Sequence, residues 1–376
     1  MTGAVLSASF LDGRMADWGN DDLMMSQYHR DFVESRFPGS VDVFDFPELR
    51  ALFDGFDKTA NANRKRRQRN GFSAIMVAGT GAALAAVLPI VDLLGGEFSR
   101  WLFAFAAILT LAGFGWAVLL ILADKHKETW LEHRLLTERL RQFYFQQLLS
   151  DPALAARALT DPAALIAWKS KRAHALSMFE AWLNRPVGSE LLAVIDDVNL
   201  GSAWFDESWL RYPPLLPGAA LDDYFTILRI QRVGVQRNYV REKLTAGVAS
   251  PETRLQAAQI SSWVLTLATI GLTVLTAALL FDGTTTGSTL FAILASSIAL
   301  AGVLSTVIRV LSEGLQLRPD CERYHWYRDA IREVEARLNN TDPGVRMVAL
   351  QEFERTSYRE MRDFLKTHKE ARFNFA

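Results

Sequence analysis

Four long runs of apolar residues constrain the fold of this chain more than any other feature of its sequence. They cover residues 71–91, 101–123, 260–281 and 288–308, and none of them contains Asp, Glu, Lys, Arg or His. Each run has 21 to 23 residues, and a helix of that length covers a hydrocarbon core of roughly 30 Å. Core helices of soluble proteins rarely stay uncharged over such a length. The sequence therefore predicts four transmembrane helices.

The basic residues around these runs predict how the helices are oriented. Lys125 and Lys127 follow the second run, whereas the two short connectors, residues 93–100 and 282–287, contain one basic residue, Arg100. Since short cytoplasmic loops are rich in Lys and Arg, both hairpins are predicted to start and end in the cytoplasm. We therefore expect a multi-pass protein of the cell inner membrane with both termini cytoplasmic. The group that precedes the first run, here called the basic cluster, consists of Arg64, Lys65, Arg66, Arg67 and Arg69.

Charge and cysteine content exclude several classes of protein. The 41 Lys and Arg residues nearly balance the 42 Asp and Glu residues, which argues against a nucleic-acid binder and against an acidic disordered tail. Cys321 is the one cysteine, so an intrachain disulfide, a cysteine-based zinc site and a CxxC redox pair are excluded. We expect Cys321 to be a structural thiol.

The arrangement of the runs suggests an internal duplication. The first runs of the two hairpins begin 189 residues apart, at 71 and 260, and the second runs keep about the same offset. Each hairpin also has a basic approach and is followed by a charged amphipathic helix. The predicted segments are an N-terminal cytoplasmic segment, a first hairpin unit, a central helical region, a second hairpin unit and a C-terminal helix, at residues 1–54, 55–150, 151–224, 225–340 and 341–376.

Outside the apolar runs the sequence is helical in pattern. Residues 129–149 contain no Gly or Pro and repeat Leu and Phe at helical spacing, with charges between them. Residues 41–46 form the one strand candidate, which is too little for a sheet. The predicted fold class is therefore all-α: a polytopic membrane protein with two tandem transmembrane hairpins and a helical cytoplasmic region.

One polar pattern lies inside the third run. Five hydroxyl residues step by four, three, four and three positions, so they share a single stripe of the helix. Such a stripe either packs against another helix, because small polar residues allow close approach, or lines a water-filled path. Both interpretations stay open. We call this set the hydroxyl stripe; it consists of Ser262, Thr266, Thr269, Thr273 and Thr276.

The sequence contains no convincing catalytic or metal-binding motif. The sequence has no P-loop and no GxGxxG, GxSxG or HExxH motif, and the His-Arg-Asp triplet at 29–31 lacks every other kinase signature. His126 and His133 are two helical turns apart, so with Glu132 they are better explained as a solvated charged face than as metal ligands. No enzymatic activity, cofactor or metal is predicted.

Segments beside the hairpins resemble those of a known family. They are WLEHRLLTERLRQFY at 130–144, QRVGVQRNYVREK at 231–243 and RYHWYRDAIRE at 323–333. Together with a two-span hairpin and a minimal turn, this pattern resembles the SLATT domain, and two tandem copies would cover the hairpin units defined above. The resemblance implies a bacterial membrane effector of antiphage defence, associated with nucleotide signals or SLOG-type sensors and thought to form pores.

The expected function follows from that resemblance and from the stripe. The chain would be a non-enzymatic effector that forms homo-oligomers in the lipid bilayer and opens a pore on a cytoplasmic signal. Because a SLOG glycine loop is absent from the sequence, a nucleotide or a separate sensor protein would have to act through another segment. The alternatives are a membrane-anchored scaffold without conductance and, less favoured, a small-solute transporter. No nucleic-acid partner is expected.

Overall fold

A computed structural model describes residues 21–92, 97–122, 125–183, 187–196, 215, 217–245, 250–281 and 288–371. Within these ranges all regular secondary structure is helical and no strand occurs, which confirms the all-α prediction. A 3-10 turn covers Asp21–Leu23, and a π-helical segment covers Arg229–Gly234. The α-helices are α1 (Gln27–Arg36), α2 (Ser40–Phe44), α3 (Pro47–Asp92), α4 (Glu97–Leu122), α5 (Lys125–Ser150), α6 (Pro152–Ala158), α7 (Pro162–Leu183), α8 (Val187–Asp196), α9 (Ala219–Leu228), α10 (Val235–Thr245), α11 (Pro251–Phe281), α12 (Ser288–Gly314), α13 (Leu317–Leu338) and α14 (Pro343–Glu370).

Three of these helices are long and apolar enough to cross a membrane: α3, α11 and the Thr289–Gly314 part of α12. The apolar stretch of α4 is shorter, Arg100–Trp116, when only described residues are considered. The structure thus supports a membrane protein with three candidate spans. Residues 93–96 and 282–287, which belong to the two predicted connectors, lie outside the described residues.

The chain forms two compact units, and each is assembled from segments that are distant in sequence. The five consecutive segments expected from the sequence stay a prediction. Unit 1 consists of Met1–Lys58, Glu132–Thr245 and Arg323–Leu365. Unit 2 consists of Thr59–Leu131, Ala246–Glu322 and Lys366–Ala376.

The strand candidate at 41–46 is wrong, because most of it forms the short helix α2. Gly39 precedes α2 with a φ of 79°, a left-handed conformation that suits glycine. Val43 and Phe44 turn into the core of unit 1 and are fully buried. Their carbonyl oxygens lie at the end of the helix and have no partner within it, so buried side chains supply the donors. The Tyr144 hydroxyl donates to the carbonyl oxygen of Phe44 at 2.7 Å. The carbonyl oxygen of Val43 accepts hydrogen bonds from Trp168 at 2.9 Å and from Arg172 at 2.8 Å.

Residues 129–149 are helical as predicted, but they do not form an amphipathic surface helix. In α5 nearly every residue from Leu135 to Phe145 is buried, including Arg139 and Arg141. A helix that is buried on all sides must supply partners for its charges inside the core. Because α5 is buried, the core of unit 1 contains the charged side chains of Arg139 and Arg141.

In unit 2, α3 and α4 pack through their smallest residues. A Cβ atom added at Gly113 of α4 would lie 2.3 Å from the backbone nitrogen of Ala78, and one added at Gly81 of α3 would lie 2.5 Å from that of Thr110. On α3, a Cβ atom added at Gly79 would lie 2.7 Å from a side-chain methyl group of Val307 of α12. Close backbone approach through Gly and Ala is typical of membrane helices.

Candidate functional site

A cleft of 470 Å³ opens between α11 and α12 in unit 2. Ser250 caps the start of α11 by accepting a hydrogen bond from the backbone N–H of Thr253, and the cleft lining begins about one turn further along this helix, at Leu255. The apolar part of the lining is formed by Leu255, Ala258 and Ile308. The polar part of the lining consists of Gln259, Ser262, Arg309, Ser312, Glu313, Gln316 and Arg318.

A strained turn after α12 shapes one wall of this cleft. Gln316 has a φ of 55°, the left-handed region that non-glycine residues rarely adopt. Its side-chain amide donates a 2.6 Å hydrogen bond to the carbonyl oxygen of Glu313, which satisfies an end of α12 and holds the turn. The chain then re-enters a helix at Leu317, and this places Arg318 beside the cleft.

The hydroxyl stripe starts in the cleft and continues along α11. Ser262 is in the cleft lining, and the spacing of the other four residues places them on the same side of this helix. Each threonine hydroxyl of the stripe donates to the carbonyl oxygen four residues earlier, at 2.7 to 2.8 Å. The stripe is only partly covered within the chain, and none of the residues Pro251–Phe281 is buried.

This hydrogen bonding limits what the stripe can do chemically. A hydroxyl that has donated its proton to its own helix retains lone pairs and acts as an acceptor. The stripe therefore presents a row of acceptor oxygens along a membrane helix. Water and N–H or O–H donors of a second helix can use such a row, whereas lipid tails cannot.

The basic cluster lies on α3, and its members fall into two environments. Arg64, Lys65, Arg66 and Arg69 are exposed, whereas Arg67 is buried. Arg67 donates a 3.0 Å hydrogen bond to the carbonyl oxygen of Ala371, and Lys127 donates to the same oxygen at 2.9 Å. That carbonyl lies at the C-terminal end of α14, where the helix dipole favours cations. Arg67 therefore has a structural contact that the sequence did not predict.

His368, on the last turn of α14, is part of the same contact region. Its ring meets Trp130 edge-on at 5.1 Å, and its Nε2 lies 3.3 Å from a carboxylate oxygen of Asp320. The neighbouring Cys321 is buried, and burial together with the carboxylates of Glu252 and Glu322 raises the pKa of its thiol. A protonated, buried thiol agrees with the structural role expected for Cys321.

Sequence reasoning missed a buried ion network in unit 1. All three nitrogens of the Arg232 guanidinium donate: two to the carboxylate of Glu354, at 2.7 and 3.0 Å, and one to Asp22, at 2.9 Å. The guanidinium also stacks over Phe145 at 4.2 Å. Asp22 pairs with Arg141 at 3.2 Å and accepts a hydrogen bond from another buried side chain, that of Gln236.

Burial and pairing act in opposite directions on the pKa values of Glu354 and Arg232. Burial raises the pKa of Glu354, and the Arg232 guanidinium opposes that shift. Burial lowers the pKa of Arg232, but the carboxylates of Glu354 and Asp22 outweigh it and the net shift is upward. Arg232 belongs to the π-helical segment, a distortion that often marks functional positions. Its sequence signal was the interleaving of Arg, Gln and Val at 231–237, which does not distinguish a buried from an exposed helix.

The possible metal ligands considered from the sequence do not converge. His126 is paired with the Asn63 side chain at 3.0 Å, whereas His133 packs against the ring of Phe56. Among the residues that the structure describes, no group of three His, Cys, Asp or Glu side chains is arranged to hold a metal ion.

Comparison with known proteins adds no identification. No family model, no curated protein and no solved structure matches this chain. The resemblance to the SLATT family stays a prediction that rests on the segments quoted above.

Proposed function

We propose that this chain is a non-enzymatic effector of the bacterial inner membrane. It has four spans in two tandem hairpins, with both termini in the cytoplasm, and it forms homo-oligomers. A cytoplasmic signal, delivered by a sensor protein or a nucleotide, opens a water-filled path along the hydroxyl stripe. The observation that carries this proposal is the exposure of α11, which buries no residue in the single chain while presenting that stripe.

The apolar face of α11 and the hydroxyl stripe favour different surroundings. Trp263, Leu267, Ile270 and Val274 are large, apolar and more than half exposed, so acyl chains suit them. Each of them follows a residue of the hydroxyl stripe by one position in the sequence, so they lie on the adjacent face of the helix. The acceptor oxygens of the stripe instead favour water or the donors of neighbouring copies. A ring of copies would turn the stripes toward one another and the apolar residues toward lipid.

Conduction and packing can be separated by one double substitution. Thr269→Leu/Thr273→Leu replaces acceptor oxygens near the middle of the span by branched alkyl groups. If the stripe lines the path, this change dewets it, as hydrophobic constrictions do in channels. The protein should then keep its oligomeric state and lose dye leakage in liposomes. The matched control is Ile270→Leu/Val274→Leu, which changes apolar groups on the adjacent face and should retain leakage.

The other outcomes decide against the pore. Loss of the oligomer with the stripe variant would show that the stripe packs between helices and would support the scaffold alternative. Unchanged leakage with an intact oligomer would remove the stripe from any conducting path. Absence of leakage by the wild-type oligomer, with the signal-bearing cytoplasmic extract present, would leave the scaffold as the better description.

A further inference from the structure

The cleft between α11 and α12 lies at the end of the membrane-crossing stretches. The apolar run of α11 starts at residue 260 and that of α12 ends at residue 308. The cleft is lined by residues on both sides of these two boundaries, from Leu255 to Ser262 and from Ile308 to Pro319. In a bilayer this is the depth at which apolar tails give way to headgroups. Of the lining residues, Ser262 and Ile308 lie inside the apolar runs, and the others lie on the headgroup side of them.

Two arginines of the cleft are free to change partners. The side chains of Arg309 and Arg318 are 70% and 75% exposed, in contrast to the buried Arg67 of the same unit. Each pairs with a carboxylate four residues later on its own helix, Glu313 at 2.9 Å and Glu322 at 3.0 Å. Exposed pairs of this kind are weak, because water screens them and ordering both side chains costs entropy. A ligand with a stronger negative charge can displace these carboxylates.

The shape of the cleft also suits a small anionic ligand. The left-handed turn at Gln316 is followed at once by Arg318, so that Arg309 and Arg318 both line the cleft. The side-chain amide of Gln259 supplies a further donor from the α11 side. A volume of 470 Å³ is within the range of small-molecule sites.

We propose that this cleft binds the headgroup of an anionic phospholipid. Arg309 and Arg318 donate to the phosphate oxygens, since guanidinium groups match the geometry of phosphate. The acyl chains continue past Ile308 into the hydrocarbon, beside the apolar run of α12. Basic pockets between membrane helices recognise anionic lipids in this way. The proposal requires that α11 and α12 lie in a bilayer, as the proposed function does, but it does not require conduction.

Lipid retention by the purified full chain tests this site. Native mass spectrometry would count phosphatidylglycerol and phosphatidylcholine molecules that remain on the protein after delipidation and titration in mild detergent. We expect wild-type protein to bind phosphatidylglycerol at least about tenfold more tightly than phosphatidylcholine. Arg309→Gln/Arg318→Gln should lose that preference. Arg254→Gln, which removes an exposed arginine from α11 outside the cleft, should keep it.

A second variant separates the cleft from general surface charge. Ser312→Phe fills the cleft and leaves every charge in place, so it should also abolish the preference. Equal preference in the wild type and the double variant, or equal loss in Arg254→Gln, would overturn the site. Displacement of the lipid by millimolar glycerol phosphate would overturn the lipid assignment in favour of a soluble phosphate ligand. Circular dichroism and gel filtration check that each variant is folded, and dye leakage is a separate readout that this result does not depend on.

Discussion

The two units of this chain differ in what they bury. In unit 1 the least exposed side chains include charged ones, with Arg232 and Glu354 at 2% and 1% exposure. In unit 2, glycines let α3 and α4 approach closely, whereas large apolar residues of α11 such as Trp263 and Leu267 are more than half exposed. Unit 1 thus encloses paired charges, and α11 of unit 2 exposes large apolar side chains.

If the helices of unit 2 lie in a bilayer, as proposed, the difference teaches that the two units are stabilised against different solvents. In lipid, burying Leu gains little because the acyl chains are equally apolar, so helices associate through close backbone approach. In water, burying apolar area is the main gain, and a charge enclosed by it is tolerated only when it is paired. Unit 1 pairs Arg232 with two carboxylates, and unit 2 brings Gly113 against Ala78.

The largest effect is expected from breaking the ion network of unit 1. Arg232→Met leaves Asp22 and Glu354 buried without their main partner and should lower the free energy of unfolding by about 3–5 kcal/mol. Arg232→Met/Glu354→Leu should recover the part of that loss that is due to Glu354, because a buried apolar pair needs no compensation, while Asp22 keeps Arg141 and Gln236 as partners. Denaturant unfolding followed by circular dichroism measures both. Arg332→Met is the exposed control, and a loss as large in this control would contradict the account.

A pH-dependent effect of similar size is expected at His29. This residue is buried, neither ring nitrogen has a hydrogen-bond partner within the described part of the chain, and burial lowers its pKa to about 4. The unfolded chain binds the proton from about pH 6.5 downward, so unit 1 should lose on the order of 3 kcal/mol between pH 6.5 and 4.

The His29→Phe variant tests this slope. It should flatten the fall in unfolding free energy over that pH range, while His174→Gln, at an exposed position, should keep the slope of the wild type. An unchanged slope in His29→Phe would assign the acid sensitivity to other groups.

A smaller effect on stability is expected at the contact between α3 and α4 in unit 2. Gly113→Ala places a methyl group against the backbone of Ala78, and overpacking of this kind costs about 1–3 kcal/mol. Gly115→Ala, two residues further along α4, meets nothing within 4 Å and should be neutral or slightly stabilising, since alanine favours a helix. Thermal stability of the detergent-solubilised protein by gel filtration would show the difference. Equal melting of the two variants would mean that α3 and α4 do not pack through this face.

The smallest effect is expected from exposed ion pairs, whichever unit they are in. Arg309→Gln in unit 2 and Arg332→Gln in unit 1 each remove one such pair and should change stability by less than about 1 kcal/mol. The same unfolding measurements apply. A loss near that of Arg232→Met would show that pairing, and not burial, governs these energies.

The sequence predicted what depends on local pattern. Long uncharged runs locate α3, α11 and α12, which are long and apolar enough to cross a membrane. Hydroxyl spacing likewise locates the stripe on one side of α11. The basic cluster was predicted to orient the first span, and that role stays a prediction.

What the sequence could not predict depends on contacts between distant segments. The charged helix positions of α5 are compatible with an exposed face, and only the placement of Asp22 and Glu354 shows where Arg141 and Arg232 find partners. The contact of Arg67 with Ala371 joins residues about 300 positions apart, which no local pattern reports. The turn at Gln316 lacks the glycine that usually signals a left-handed residue.

The most direct test of the central claim is the water accessibility of α11 in a bilayer. Single cysteines are placed in turn from Ile260 to Phe281 in a Cys321→Ser background, and an impermeant thiol reagent is applied to proteoliposomes that leak dye. The account predicts modification at positions 262, 266, 269, 273 and 276, and none at positions 263, 267, 270 and 274. Modification confined to the apolar face, or to neither face while positions outside the membrane react, would contradict a water path along the hydroxyl stripe.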